Sequence, residues 1–359
     1  MKRSLALLLI LVLLLSFISA QAATTVNPTV SRNITPKGRK AAGTFDNNPV
    51  IPGESMTTGL PSDGTYIPVL VNIDNVLGAW PQWGLGQADI IYEMPIHGLT
   101  LTRLMALFTH DHPTGVGPLR SGRVMHAEMR EEWDAAWAFA GVQNAEGSSV
   151  YVALRKFNVR NKPIDLIFDV NTGKWGSFTT NLKHHKAPHN HSFHLAEAAA
   201  TIADYDFPKR PFLFTDELPT AGHPATGVSL LYGGGDEGNY TNSSYTYDSA
   251  TNLYTRFRQN KPFEDLDNPG VALTFSNVIV QWTDLTFNGG AALPLLKEVG
   301  EGNADIFTGG RHIAGYWVRE AVESRTIFFD QDGNEIRLQR GKTWINITTD
   351  RSTTVKYEK

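Results

Sequence analysis

Hydrophobic positions in this chain fall into short runs, and their spacing is most often two. Residues 88–93 and 100–108 are β-branched, aromatic or apolar, bounded by Gly86 and Gly98, which predicts two strands. From Leu104 to Phe108 every position is apolar, so the second strand is expected to be covered on both faces. The intervening Met94-Pro95-Ile96-His97-Gly98-Leu99 suits a hairpin loop, and antiparallel pairing would bring Glu93 and Arg103 together, directly or diagonally. Residues 65–75 predict an earlier strand that ends in an Asx-rich turn at Asp74 and Asn75. The spacing of Val124, Met129 and Trp133 predicts a helix, with Ser121 as its N-cap. A buried strand is expected over 135–142, helical spacing runs over 146–157, and 164–170 is a further strand or a docking loop. Ser192 is expected to cap an alanine-rich helix over 193–203.

Beyond residue 227 the texture changes to short alternating runs at 228–232, 244–247, 253–257, 277–282, 316–318, 326–329, 335–338 and 343–347. Turn signals such as Gly233-Gly234-Gly235 and Asp332-Gly333 separate them. The expected fold is therefore α+β: an N-terminal mixed α/β layered domain over 63–207, followed by a mostly β, sandwich or barrel-like domain over 227–352. The proline-marked stretch 208–226 would connect them. Residues 23–62 are rich in Thr, Asn, Pro and Gly without periodicity and are expected to be a flexible linker. Residues 1–22 have the form of a secretory signal: Lys2 and Arg3, an apolar run over 5–17, then Ala20-Gln21-Ala22.

Composition narrows the function classes. With 359 residues, 41% of them hydrophobic, the chain can bury a sizeable core and two domains. A net charge of -4 and the lack of a basic tract argue against a nucleic-acid partner. There is no cysteine, which excludes disulfides, thiol catalysis and a lipid-modified cysteine. The expected location is extracytoplasmic, secreted or envelope-associated, touching the membrane only through the signal segment if that is uncleaved.

Candidate chemistry concentrates in Gly117-Pro118-Leu119-Arg120-Ser121-Gly122-Arg123. Two arginines at a helix start oppose the positive end of the helix dipole. Either an external anion is held there by N–H groups and guanidinium forks, or the arginines are paired internally with Glu93 or Asp74. Asp74 sits at a strand end, where α/β sites often form. The segment from His184 to His194 holds five histidines; His189 and His191 repeat the spacing of His110 and His112. This permits zinc or copper, although no closed ligand set is present.

With these residues in view, the sequence resembles the YerB-like lipoproteins, a bacterial family of unknown function with N- and C-terminal domains. The residues that carry the resemblance are Pro68 to Asn75, Gln87 to Glu93, Thr102-Arg103, Gly117 to Arg123 and Ala187-Pro188-His189-Asn190. In the second half they are Tyr254-x-Arg256, Asn277 to Val280, Gly315-x-Trp317 and Gly341 to Ile345. The resemblance implies an extracytoplasmic two-domain protein of bacterial envelopes and supplies no reaction. The chain departs from the family in lacking the lipid-bearing cysteine, and His191 stands where relatives commonly carry an apolar residue.

The leading expectation is a cell-envelope binding or accessory protein. Arg103, Arg120, Ser121, Arg123 and Asn190 would hold an anionic envelope ligand or cell-wall component, oriented by Glu93 and Asp74 and closed by His189. No cofactor is expected, and the β domain would contact wall, polymer or an envelope protein. One alternative is a hydrolase of wall or phosphate-ester substrates, with Glu93 or Asp74 as general base and His189 as general acid. The other is a metal-binding exported protein using the His184 to His194 cluster, His189 and His191 first.

Overall fold

Strands that are apolar at every position need cover on two sides, and the chain provides it by setting one large sheet between two other layers. The computed structural model describes residues 24–26, 48–157, 159, 165–235, 238–287 and 293–359. In its first half lie β1 (Thr24–Val26), β2 (Val69–Ile73), β3 (Ile90–His97), β4 (Leu101–Phe108), β5 (Ala136–Phe139), β6 (Ile167–Asp169) and β7 (His191–Phe193). Three helices accompany them: α1 (Val124–Trp133), α2 (Val150–Lys156) and α3 (Leu195–Ala200). The second half adds β8 (Gly227–Tyr232), β9 (Ser243–Asp248), β10 (Leu253–Arg258), β11 (Asn277–Trp282), β12 (Gly300–Thr308), β13 (Arg311–Arg319), β14 (Thr343–Thr348) and β15 (Thr353–Glu358).

Among the described residues the main sheet has eleven strands, ordered β13-β12-β11-β14-β3-β4-β2-β5-β6, with short strands Ile327–Phe329 and His223–Pro224 beside β13. Strand β14 is buried along its whole length and pairs in parallel with β11 on one side and β3 on the other. The two halves expected as separate domains therefore share one sheet. An interior strand such as β14 cannot leave either edge unpaired, and its partners come from both halves. The fold is sheet-rich with few, short helices, and the first half is not a separate α/β layer. A second sheet of seven strands, ordered β1-β15-β8-β9-β10 with two-residue strands after it, packs on the first.

Side-chain alternation divides the core. Val71, Ile73, Ile91, Leu104 and Ala106 share a cluster with Val228, Leu230, Tyr245 and Tyr254 of the second sheet. Leu70, Tyr92, Met94, Met105 and Leu107 share the other cluster with Met125, Met129 and Trp133 of α1. Pairing of β3 with β4 sets Glu93 against Leu104 and Met94 against Arg103. Glu93 and Arg103 thus lie on opposite faces, and the expected ion pair between them does not form.

Several local expectations are corrected. Part of the stretch expected to be a linker packs, since Thr24–Val26 pairs with β15 and Met56, Thr57 and Thr58 are buried, while residues 27–47 lie outside the described residues. Small hydroxyl side chains make this possible, since Thr57 Oγ1 donates to Asp89 Oδ2 at 2.9 Å. The signal segment 1–22 lies outside the described residues. The connection 208–226 is woven in, with Phe214 opposite Leu338 and His223 opposite His312. Arg123, not Ser121, is the N-cap of α1, and its backbone N–H donates to His126 Nδ1 at 3.1 Å. Ser192 lies in β7, and α3 starts only after His194.

Candidate functional site

Strands β2, β5 and β6 run in parallel, so their C-terminal ends open onto one edge of the sheet. Asp74 follows β2 at that edge. Segment 116–123 crosses in front of it and is stitched down on both sides. Val116 and Phe193 exchange backbone hydrogen bonds, as do Trp83 and Gly117, while Asp74 N–H donates to the Pro118 carbonyl at 2.9 Å. Farther along, Arg120 N–H donates to the Asn72 carbonyl at 3.0 Å and Gly122 N–H to the Gly141 carbonyl at 2.9 Å. Close approach explains both glycines of the segment. A Cβ on Gly117 would stand 2.5 Å from the His191 carbonyl oxygen, and one on Gly122 would stand 2.7 Å from the Trp137 ring.

This path brings Arg120 to a carboxylate that Arg103 of β4 also approaches, with Arg123 close by. Asp74 is fully buried. Its Oδ2 accepts from Arg120 Nε at 2.9 Å and from His189 Nδ1 at 2.8 Å, and its Oδ1 lies 3.6 Å from Arg103 Nη2. Burial alone would raise the Asp74 pKa; Arg103, the His189 hydrogen bond and Arg120 outweigh it, and the carboxyl is held below its ordinary value. Arg103 is anchored by donating from Nη1 to the Ser121 carbonyl at 2.9 Å. Its burial, offset by Asp74 but reinforced by Arg123 and Arg120, lowers its pKa to about 9. Arg123 donates to the Ser121 and Gly122 carbonyls through Nη1 and makes no ion pair with a carboxylate among the described residues. Arg120 keeps a third of its side chain exposed.

A support layer lies beneath. Trp137 Nε1 donates to Asn72 Oδ1 at 2.9 Å, and Asn72 Nδ2 lies 2.6 Å from His126 Nδ1. Burial, with Arg103 and Arg123 nearby, holds His126 well below its ordinary pKa and so neutral. Because Nδ1 accepts from the Arg123 N–H, the ring proton belongs on Nε2, which is buried and unpartnered.

On the opposite face Asn75, one residue beyond Asp74, joins a second network. Glu93 Oε1 accepts from Thr102 Oγ1 at 2.7 Å and Asn75 Nδ2 at 3.1 Å, and Glu93 Oε2 accepts from Arg256 Nη2 at 3.2 Å. Arg258 donates from Nη1 to Asn75 Oδ1 at 2.7 Å and from Nη2 to the Asn75 carbonyl at 2.6 Å, with its guanidinium 4.1 Å from the centre of the Trp80 ring. The structure thus brings Arg103, Arg120 and His189 to Asp74, with Arg123 beside them, whereas Glu93 belongs to a separate, fully enclosed cluster. Ser121 contributes its carbonyl. Asn190 Oδ1 is buried without a partner and its carbonyl accepts from Leu182 N–H.

Sequence reasoning missed Arg258 and His126, and took Asn72, Asn75 and Arg256 only as parts of motifs. A signal existed for the two arginines. In Leu253-Tyr254-Thr255-Arg256-Phe257-Arg258 the alternate residues Tyr254, Arg256 and Arg258 all face inward. Two guanidiniums on the buried side of a strand require acidic or carbonyl partners from another layer.

The histidines disperse. His184 and His185 pack on the Trp83 ring, His191 is in β7, and His194 Nε2 lies 2.8 Å from Thr180 Oγ1. His112 Nε2 lies 2.9 Å from the Ile67 carbonyl. Among the described residues no group of three or more His, Asp or Glu side chains is placed to hold a metal ion. Among them, too, no helix is long and apolar enough to cross a membrane.

Comparison with known proteins agrees with this architecture. Family models described as the N-terminal and C-terminal domains of a protein of unknown function (DUF3048) match residues 57–207 and 236–345. The chain is 28% identical over 289 residues to the "Putative lipoprotein YerB" of Bacillus subtilis, covering 79% of this chain and 81% of that one. The crystal structure of YerB from Bacillus subtilis superposes with a TM-score of 0.68 at 22% identity, over 82% of this chain and 96% of that one. That likeness is one of fold.

Proposed function

We propose a function for this chain as a member of the DUF3048 family, to which it belongs through both the N- and C-terminal domains: an extracytoplasmic accessory protein of a bacterial cell envelope that holds an anionic group at the Asp74 edge of the main sheet. The observation that carries this reading is the charge balance. Arg103 and Arg120 pair with a single carboxylate, Asp74, and Arg123 beside them pairs with none among the described residues, so the cluster has two positive charges in excess. Like charges crowded around the buried Arg103 repel one another, and an anion from outside relieves that repulsion. The relative named as a lipoprotein supports an envelope location, although this chain has no cysteine. Contact with wall polymer or an envelope protein would fall to the second half.

The test is thermal unfolding of the intact chain with purified anionic wall polymer and, in parallel, a neutral glycan. The anionic polymer should raise the midpoint and the neutral one should not. Replacing Arg120 and Arg123 together with Ala should abolish the shift and leave the near-UV spectrum intact. Loss of the fold would instead make those arginines structural.

A second reading, hydrolysis of a phosphate or wall ester, is favoured by one observation. The 2.8 Å bond from His189 Nδ1 to Asp74 Oδ2 fixes the imidazole and leaves Nε2 for proton transfer. Turnover of p-nitrophenyl phosphate that vanishes in His189→Ala would support it; equal turnover in the variant would reject it.

A further inference from the structure

Resting on the anion-holding reading above, we propose that the occupant is a tetrahedral oxyanion with two charges, a phosphate monoester group, and not a carboxylate or a phosphodiester. Charge sets the first condition. A single negative charge would neutralise only one of the two excess guanidiniums around Asp74. The second would stay unpaired beside Arg103, which is only 4% exposed.

Donor geometry sets the second condition. Arg120 engages Asp74 through Nε, and no hydrogen bond of its terminal nitrogens is seen among the described residues. Arg123 spends Nη1 on the carbonyls of its own loop, and its buried Nε has no partner. Arg103 Nε is likewise buried and unpartnered. His189, tied to Asp74 at Nδ1, presents Nε2 as a further group at the same edge. The two oxygens of a carboxylate suit a single fork lying in their plane, and the imidazole adds no donor while its Nε2 is unprotonated. A phosphoryl group with three free oxygens can receive both forks. A phosphodiester has two free oxygens and one charge, and fails on both counts.

The experiment is calorimetric titration of the full chain at fixed ionic strength with methyl phosphate, inorganic phosphate, sulfate, dimethyl phosphate and acetate. Methyl phosphate at pH 8 should bind about tenfold or more tightly than dimethyl phosphate or acetate. Its affinity should fall as pH drops through about 6, where the ester gains a proton, whereas sulfate, which stays doubly charged, should not weaken. Methyl phosphate binding tighter than inorganic phosphate would assign the site to a polymer or lipid end group; the reverse would assign it to the free ion. Arg120→Gln, at an arginine with a third of its side chain exposed, should bring the dianions down to the level of acetate while the fold survives. Acetate or dimethyl phosphate binding as well as methyl phosphate would overturn the dianion assignment and leave the anion pocket standing. Retained preference in Arg120→Gln would overturn the assignment of donors. Failure of all five probes would remove the pocket itself.

Discussion

Burial separates the roles of residues that look alike in sequence. Asp74 and Arg120 form one ion pair, but the carboxylate is fully enclosed and the guanidinium is a third exposed. Replacing Asp74 with Asn should cost about 3–5 kcal/mol in urea unfolding, because Arg103 is left as a buried, unpaired charge. Arg120→Ala should cost about 1 kcal/mol or less, since its side chain is a third exposed and Asp74 keeps Arg103 and His189 as partners. The pH dependence of Asp74 follows from its depressed pKa. Its contribution is complete above the unfolded value of about 4 and is lost as pH falls through the lower folded value. Asp89 has the opposite sign. Burial raises its pKa to about 6, offset only in part by hydrogen bonds from Thr109 and Thr57. The folded chain keeps a proton that the unfolded chain releases between about pH 4 and pH 6, so Asp89 subtracts stability as pH rises through that window. Asp89→Asn should flatten the slope there by about 2–3 kcal/mol across the window. An unchanged slope in unfolding midpoints measured from pH 4 to 7 would reject this account.

At the level of elements, what matters is which face a residue takes. The two-residue period makes Asp74 and Asn75 point to opposite sides, which splits one polar stretch into two unconnected jobs. Asp74 serves the open edge; Asn75 and Glu93 serve the packing of β10 on the main sheet through Arg258 and Arg256. Arg256 is held between Phe263 and Trp344, with its guanidinium 4.1 Å from each ring centre. Arg256→Ala should therefore cost about 3–5 kcal/mol, and Glu93→Gln combined with Arg256→Met should recover most of it, since the double variant leaves no unpaired charge enclosed. A double variant as unstable as the single would show that stacking, not charge, dominates. Much of this level was legible in the chain: the alternating runs gave β8 to β11 and β14 to within a residue or two, and Gly117 to Arg123 stood out as site material. The face assignment was not. It depends on which residue of β3 pairs with which residue of β4, and a slip of one inverts every side chain. The cap of α1 was misassigned for a related reason: His126 takes the place that Glu or Gln has in a capping box, and it is fixed there by Asn72 from a strand far away in sequence.

At the scale of the whole molecule the halves are joined by backbone, not only by side chains. Thr343, Trp344, Ile345 and Asn346 of β14 pair with Ile90, Ile91, Tyr92 and Glu93 of β3. Asp265 of the second half accepts from the Gly84 and Gly86 N–H groups of the first, and Lys342 Nζ donates to the Gly86 carbonyl. Removing either half would strip β3 or β14 of a hydrogen-bonded neighbour and expose the apolar faces of Ile91 and Trp344. Two matched regions of sequence therefore need not mean two folding units. The intact chain should unfold in one transition, with calorimetric and van't Hoff enthalpies equal within error. A fragment ending at residue 207 should lack a near-UV signal when expressed alone and regain it when mixed with the fragment that begins at 227. Two resolved heat-absorption peaks, or a native spectrum from the first fragment by itself, would show that β14 completes a sheet already stable without it. In that case the arginine site, whose Asp74, Arg103, Arg120, Arg123 and His189 all come from the first half, should still bind an added anion in the isolated fragment.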